Sequence, residues 1–208
     1  MIKRWQVGSV CGVLGVLVYV TLACIAYLHY PDAYSPLTNA LSQLGSPPLN
    51  PAGAIFYNLG GILLGLLLLP FYLDMSRWNT SSRSQKILIA GAQAAGIISS
   101  LALISSCVFP AGTHTPIHVA SAGTAMLSSV FFWIFSGFGM LKNPAGVKWI
   151  SYFGYVPLVG ISIIVFVLKQ RFLVEWVAVS LFLVYVLLLA YNGPKMSKFA
   201  AGRANIGR

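Results

Sequence analysis

Apolar residues along this chain fall into six long runs, separated by short stretches where glycine, proline, polar and basic residues collect. The runs are about Val7–Leu28, Ala52–Leu73, Ile87–Val108, Ile117–Leu141, Ile150–Leu168 and Leu173–Tyr191. Each is close to the roughly 20 residues that a helix needs to cross the hydrocarbon of a bilayer. None contains Asp, Lys or Arg, and Glu175, near the start of the last run, is the only acidic residue in any of them. Hydrocarbon offers no hydrogen bonds to the backbone, so each run must satisfy its own N–H and C=O groups. The pattern therefore predicts an all-α bundle of six transmembrane helices. Aromatic side chains mark the ends of the runs, as rings with one polar edge do at headgroup depth: Trp5, Tyr27, Tyr30, Tyr72, Trp78, Trp149, Tyr152, Trp176 and Tyr191. Val7–Leu28 is longer than the apolar core of a signal peptide and lacks its small-residue cleavage site, so it is expected to remain in the protein.

Between the first two runs the pattern changes period. Ser35-Pro36 reads as an N-cap followed by proline in the first turn, and Leu37, Ala40, Leu41 and Leu44 then recur at helical spacing until Gly45. The spacing predicts a short helix in the membrane interface with its apolar side facing the hydrocarbon. Small residues four apart, Gly8/Gly12 and Gly61/Gly65, and the pairs Gly91/Gly96 and Gly137/Gly139, predict places where helices approach closely. Gln93, Ser99, Ser100, Ser105 and Ser106 make the third run the most polar and place it centrally in the bundle. Pro157 predicts a kink about one turn into the fifth.

Composition sharpens this picture. Of 208 residues 58% are apolar and only 8% are charged, too few charges to cover a soluble globule and too many apolar groups for a disordered chain. The net charge of +10 comes from where the cations sit. With the N-terminus in the cytosol, Lys3, Arg4, Arg77, Arg83, Lys86, Lys142, Lys148, Lys195, Lys198, Arg203 and Arg208 lie inside, against only Lys169 and Arg171 outside. The positive-inside rule thus predicts a multi-pass protein of the cell membrane with both termini cytosolic. Because these charges punctuate membrane exits and do not cluster on one folded face, no nucleic-acid partner is expected. Residues 192–208 read as a basic cytosolic tail whose Lys195, Lys198 and Arg203 would hold anionic lipid headgroups.

Candidate chemistry gathers on the outer side. His29, His114 and His118 all fall there, with Asp32 and Glu175, whereas Asp74 is the single inner acid. Together with Ser42 these form a candidate polar cap: His29, Asp32, Ser42, His114, His118 and Glu175. Two readings stay open. One is a structural network tying the two outer loops together. The other is a metal site, zinc by preference, with His29, His114 and His118 as ligands, Asp32 or Glu175 as fourth ligand or base, and a metal-bound water attacking a lipid. No lipase elbow, P-loop, dinucleotide fingerprint or zincin signature is present. No carboxylate lies deep in a span, which argues against an ion-coupled transporter. Cys24 and Cys107 both fall near the outer side and a bridge is conceivable, although free buried thiols are the commoner outcome.

Two stretches carry a resemblance. One is Tyr34-Ser-Pro-Leu-Thr-Asn-Ala-Leu-Ser-Gln-Leu-Gly45, with Asn50-Pro51, Phe56, Asn58 and Gly65; the other is Phe109-Pro110, followed by His118 and a Gly/Ala-rich helix. Together they resemble the membrane family known as domain of unknown function 998, and more distantly the autophagy-modulator (DRAM) and Sfk-type membrane proteins. That family pattern has Asp where this chain has Gln43, so the resemblance implies no charged role at position 43. It implies a six-span fold over nearly the whole chain and a lipid-associated or regulatory role. The expectation is a non-enzymatic membrane protein without a cofactor, with membrane lipids and other integral membrane subunits as partners. The alternative is the metal-dependent lipid hydrolase.

Overall fold

The computed structural model describes residues 6–80 and 82–206. Seven α-helices are described: α1 Val7–Leu28, α2 Ala54–Asp74, α3 Arg83–Val108, α4 Thr115–Leu141, α5 Lys148–Phe153, α6 Val156–Ile163 and α7 Arg171–Ile206. Short 3₁₀ turns precede and follow α2, at Leu41–Gly45 and Met75–Trp78, and a π-helical turn, Ile164–Leu168, extends α6. Six helices, with α5, α6 and the π turn counted as one, are long and apolar enough to cross a membrane. No strand occurs among the described residues. Successive helices pack as neighbours, α1 on α2, α2 on α3 and α3 on α4, and α7 returns to pack on α1 and α6. The bundle has a cap end, which carries His29, the first long loop and Phe109–His114, and a basic end, which carries Arg77, Lys86, Lys142 and Lys195.

Close approach occurs at the glycines the spacing singled out. A Cβ at Gly12 would sit 2.9 Å from the Phe71 ring, one at Gly96 would sit 2.5 Å from the Tyr72 ring, and one at Gly61 would strike the Cys107 sulfur. Without a hydrophobic drive between helices in lipid, such contacts let backbones come near enough for dispersion to hold them. Hydroxyls and amides add interhelical bonds. Ser99 and Ser105 of α3 lie 3.0 Å and 2.8 Å from the Ser129 and Ser121 hydroxyls of α4, and Gln93 Nε2 donates to Tyr72 O at 2.9 Å. All three cysteines are free.

Two expectations need correction and two are sharpened. First, the chain from Ser35 to Gly45 is not one amphipathic helix. A turn closes from Ser35 O to the Asn39 N–H, Ala40 is extended, and only Leu41–Gly45 coils, as 3₁₀. Leu41 and Leu44 point into the protein core rather than toward lipid. The Tyr34 hydroxyl donates to Ala40 O at 2.8 Å and holds the break open. Burial pushes that phenol above its ordinary range, so it remains a donor. Second, the kink expected about one turn into the fifth span is a full break at Gly154 and Tyr155, after which Pro157 stands in the first turn of α6, where a missing N–H costs nothing. Third, α3 is central as expected, as buried as any span among the described residues, yet not wrapped on all sides. It lies between α2 and α4 and keeps Ile87, Ile98 and Leu101 exposed. Fourth, the chain does not become a tail after Tyr191 but continues as helix to Ile206. The 36 residues of α7 span about 54 Å, well beyond a hydrocarbon thickness of about 30 Å, and Asn192, Met196 and Ser197 on its extension are buried.

The aromatic ends also divide. Tyr27, Trp149, Tyr152 and Tyr191 are exposed as a headgroup belt requires, but Tyr72 and Trp78 are buried. They join Phe71, Phe132, Phe182 and Tyr185 in a ring cluster with centroids 5.1–6.4 Å apart. Trp5 lies outside the described residues.

Candidate functional site

The six cap candidates do not converge as one group. His29 ends α1, where its Nδ1 lies 2.8 Å from Ile25 O and its ring leans on Phe56. Asp32 is exposed on the bend that follows. His114 caps α4, exposed, with its ring edge-on to Phe109. The other three share a place. Ser42, His118 and Glu175 line one partly open cavity of about 390 Å³. Among the described residues no three His, Cys, Asp or Glu side chains gather to hold a metal ion. The proposed ligands His29, His114 and His118 therefore stand apart, and each engages its own neighbour.

The cavity lies between α3, α4, α6 and α7, with Tyr19 of α1 and Tyr57 of α2 behind it. On α4 its wall follows one face through His118, Ala122, Ala125, Ser129 and Trp133. At 1.5 Å per residue that stripe is about 22 Å long. The wall is mostly apolar, with Leu103, Val130, Val179 and Phe182 among its members. Most of its polar atoms are already paired. The Tyr19 hydroxyl donates to that of Tyr57 at 3.2 Å, and the Ser99 hydroxyl lies 3.1 Å from Ala125 O.

Polarity is left at the cap end. Glu175, one turn into α7, accepts the Ser42 backbone N–H on Oε2 at 3.0 Å, and Trp176 beside it donates Nε1–H to Asn39 O at 3.0 Å. These two bonds tie α7 to the first loop. His118 Nδ1 lies 2.9 Å from Ser106 O. A carbonyl only accepts, so Nδ1 carries the hydrogen and Nε2 is the remaining polar atom of the ring. The Ser106 hydroxyl turns away to Leu103 O at 2.8 Å, and no described serine hydroxyl bonds to His118. No serine nucleophile is thus paired with His118 among the described residues.

What organises the cap is a residue outside the candidate set. Asn50 is fully buried, its Nδ2 donates to Ala26 O at 3.0 Å and to Leu44 O at 2.9 Å, and its Oδ1 accepts the Gly53 N–H at 3.1 Å. It joins the end of α1, the 3₁₀ turn and the start of α2. Asn58 Nδ2 adds a bond to Gly45 O at 2.8 Å. The second loop meets the first at Gly112, whose φ of +88° favours glycine and where a Cβ would press on Ser46 and Pro48. Asn50 and Asn58 stand in the stretch Tyr34–Gly65 noted above, where asparagine beside proline before an apolar run was the only available signal.

A family model described as a protein of unknown function (DUF998) matches residues 13–192, most of the chain. No curated protein and no solved structure matches it.

Proposed function

The chain belongs to the DUF998 family, and from that premise we propose a lipid-associated, non-enzymatic membrane protein that houses the hydrocarbon chain of one membrane lipid. The observation that carries this reading is the long apolar cavity beside α4. Left empty, an apolar space of this size would deprive its wall of dispersion contacts. Hydrocarbon fills it at no such cost, and the surrounding bilayer supplies hydrocarbon. The test is to purify the protein in a mild detergent and weigh it intact by native mass spectrometry. One bound amphiphile per chain is expected, and replacing Ala122 on the cavity wall by Phe should reduce the bound fraction several-fold while the helical content stays unchanged. A wild-type protein that emerges free of lipid, or a variant that retains as much, would refute the reading.

The cap faces outward in this proposal, and both ends of the chain lie in the cytosol. Its support is the set of cations at the basic end, where Lys195 and Lys198 stand on the extension of α7 past Tyr191 with the ammonium of Lys195 5.1 Å from the Tyr191 ring centre. Lys195, Lys198 and Arg203 would then meet anionic headgroups of the inner leaflet. Single cysteines placed at Asp32 and Lys198 in a cysteine-free protein should react with a membrane-impermeant thiol reagent from opposite sides in intact cells. Labelling of position 198 from outside would reverse the orientation.

A further inference from the structure

The cavity is apolar along its length and carries one acid at its cap end. Glu175 offers two oxygens; Oε2 takes the Ser42 N–H at 3.0 Å, and Oε1 takes no hydrogen bond from any described residue. His118 lines the same cavity, and with its Nδ1 committed to Ser106 O the ring's remaining polar atom is Nε2. None of the described lining residues is Lys or Arg. A carboxylate accepts and never donates. Placed over an apolar wall, it favours a headgroup that brings N–H donors or positive charge. A carboxylate or phosphate headgroup would meet like charge from Glu175 there; the cations nearest in sequence, Lys169 and Arg171, stand just before and at the start of α7 and are not among the described lining residues.

Resting on the reading of the cavity as a lipid-chain site, we propose that Glu175 makes it selective for single-chain amphiphiles with an ammonium headgroup, which would sit between Glu175 and His118 with the chain running along α4 toward Trp133. The stripe from His118 to Trp133, about 22 Å at 1.5 Å per residue, suits one extended chain. Neutral hydroxyl headgroups satisfy the same acceptors without the charge attraction and rank second.

The probes are hexadecylamine, hexadecanol and palmitate, each titrated against the detergent-purified full chain at neutral pH by displacement of a fluorescent apolar dye. Titration of the Ala122→Phe variant corrects for partition into micelles. Wild-type protein should bind the amine at least about tenfold more tightly than palmitate, with the alcohol between them. Glu175→Gln keeps an oxygen for the Ser42 N–H and so keeps the loop in place. It should bring the amine and palmitate within about twofold of each other while hexadecanol changes little. Equal binding of all three probes by the wild type would end the headgroup proposal and leave the chain site standing. Binding of none would end both. A preference for the amine that survives in Glu175→Gln would remove Glu175 as its source.

Discussion

Replacing Asn50 by Ala should lower the thermal midpoint of the detergent-solubilised protein by about 10 °C, the equivalent of about 3–4 kcal/mol. The side chain is fully buried and makes three bonds, to Ala26 O, Leu44 O and the Gly53 N–H. A buried hydrogen bond is worth about 1 kcal/mol net, but a partner left unpaired adds its own desolvation cost. Ala26 O also receives the His29 N–H at 3.3 Å and is partly compensated; no other described side chain bonds to Leu44 O or the Gly53 N–H. Asn50→Asp should do no better, because it keeps the acceptor, loses both donors and buries a charge. The comparison is Asp32→Ala on the same loop, exposed and bonded through its side chain to no described residue, where less than about 0.5 kcal/mol is expected. Equal midpoints for the two Ala variants would show that Asn50 does not hold the cap together.

At the opposite end, Trp78→Ala should cost about 3–5 kcal/mol, the range for removing a large buried aromatic. Trp78 is 2% exposed, its ring meets Phe71 edge-on at 6.4 Å, and its Cζ2 would lie 3.0 Å from a Cβ at Gly193 of α7. The indole therefore fills the space between the end of α2 and the extended part of α7. Its backbone carbonyl also accepts Gln85 Nε2 at 3.0 Å and Asn143 Nδ2 at 2.8 Å, and these bonds survive the substitution. The cost is accordingly one of packing, and Trp78→Phe should recover part of it. Trp149, 57% exposed, is the control: its Ala variant should stay within about 0.5 kcal/mol. Denaturant or thermal unfolding in one detergent measures both. A small loss at Trp78 would return it to the headgroup belt where its sequence position suggests it belongs.

The cap and the basic end share one lesson about legibility. Asn50 appears in the sequence only as part of the Asn50-Pro51 pair that carries the family resemblance, and Trp78 beside Arg77 reads as a belt residue. In each case the local signal gives the position along the helix axis and is silent about direction. The same holds for the outer candidates. Their shared side was readable, yet only Ser42, His118 and Glu175 meet at one cavity.

Chain order alone was enough to determine the six apolar runs, the glycine contacts between helices and the placing of basic residues at one end of the bundle. Hydrocarbon excludes charge and unpaired backbone over a fixed thickness, which writes composition along the axis of every helix. Tertiary structure decided the azimuth: which side of α4 lines the cavity, that Trp78 turns inward, that α7 continues past Tyr191, and that His29 and His114 stay apart from His118. Lipid and protein interior are equally apolar, so the helical period that marks the buried face of a soluble helix carries almost no information here. Only contacts with neighbouring helices choose the inward face.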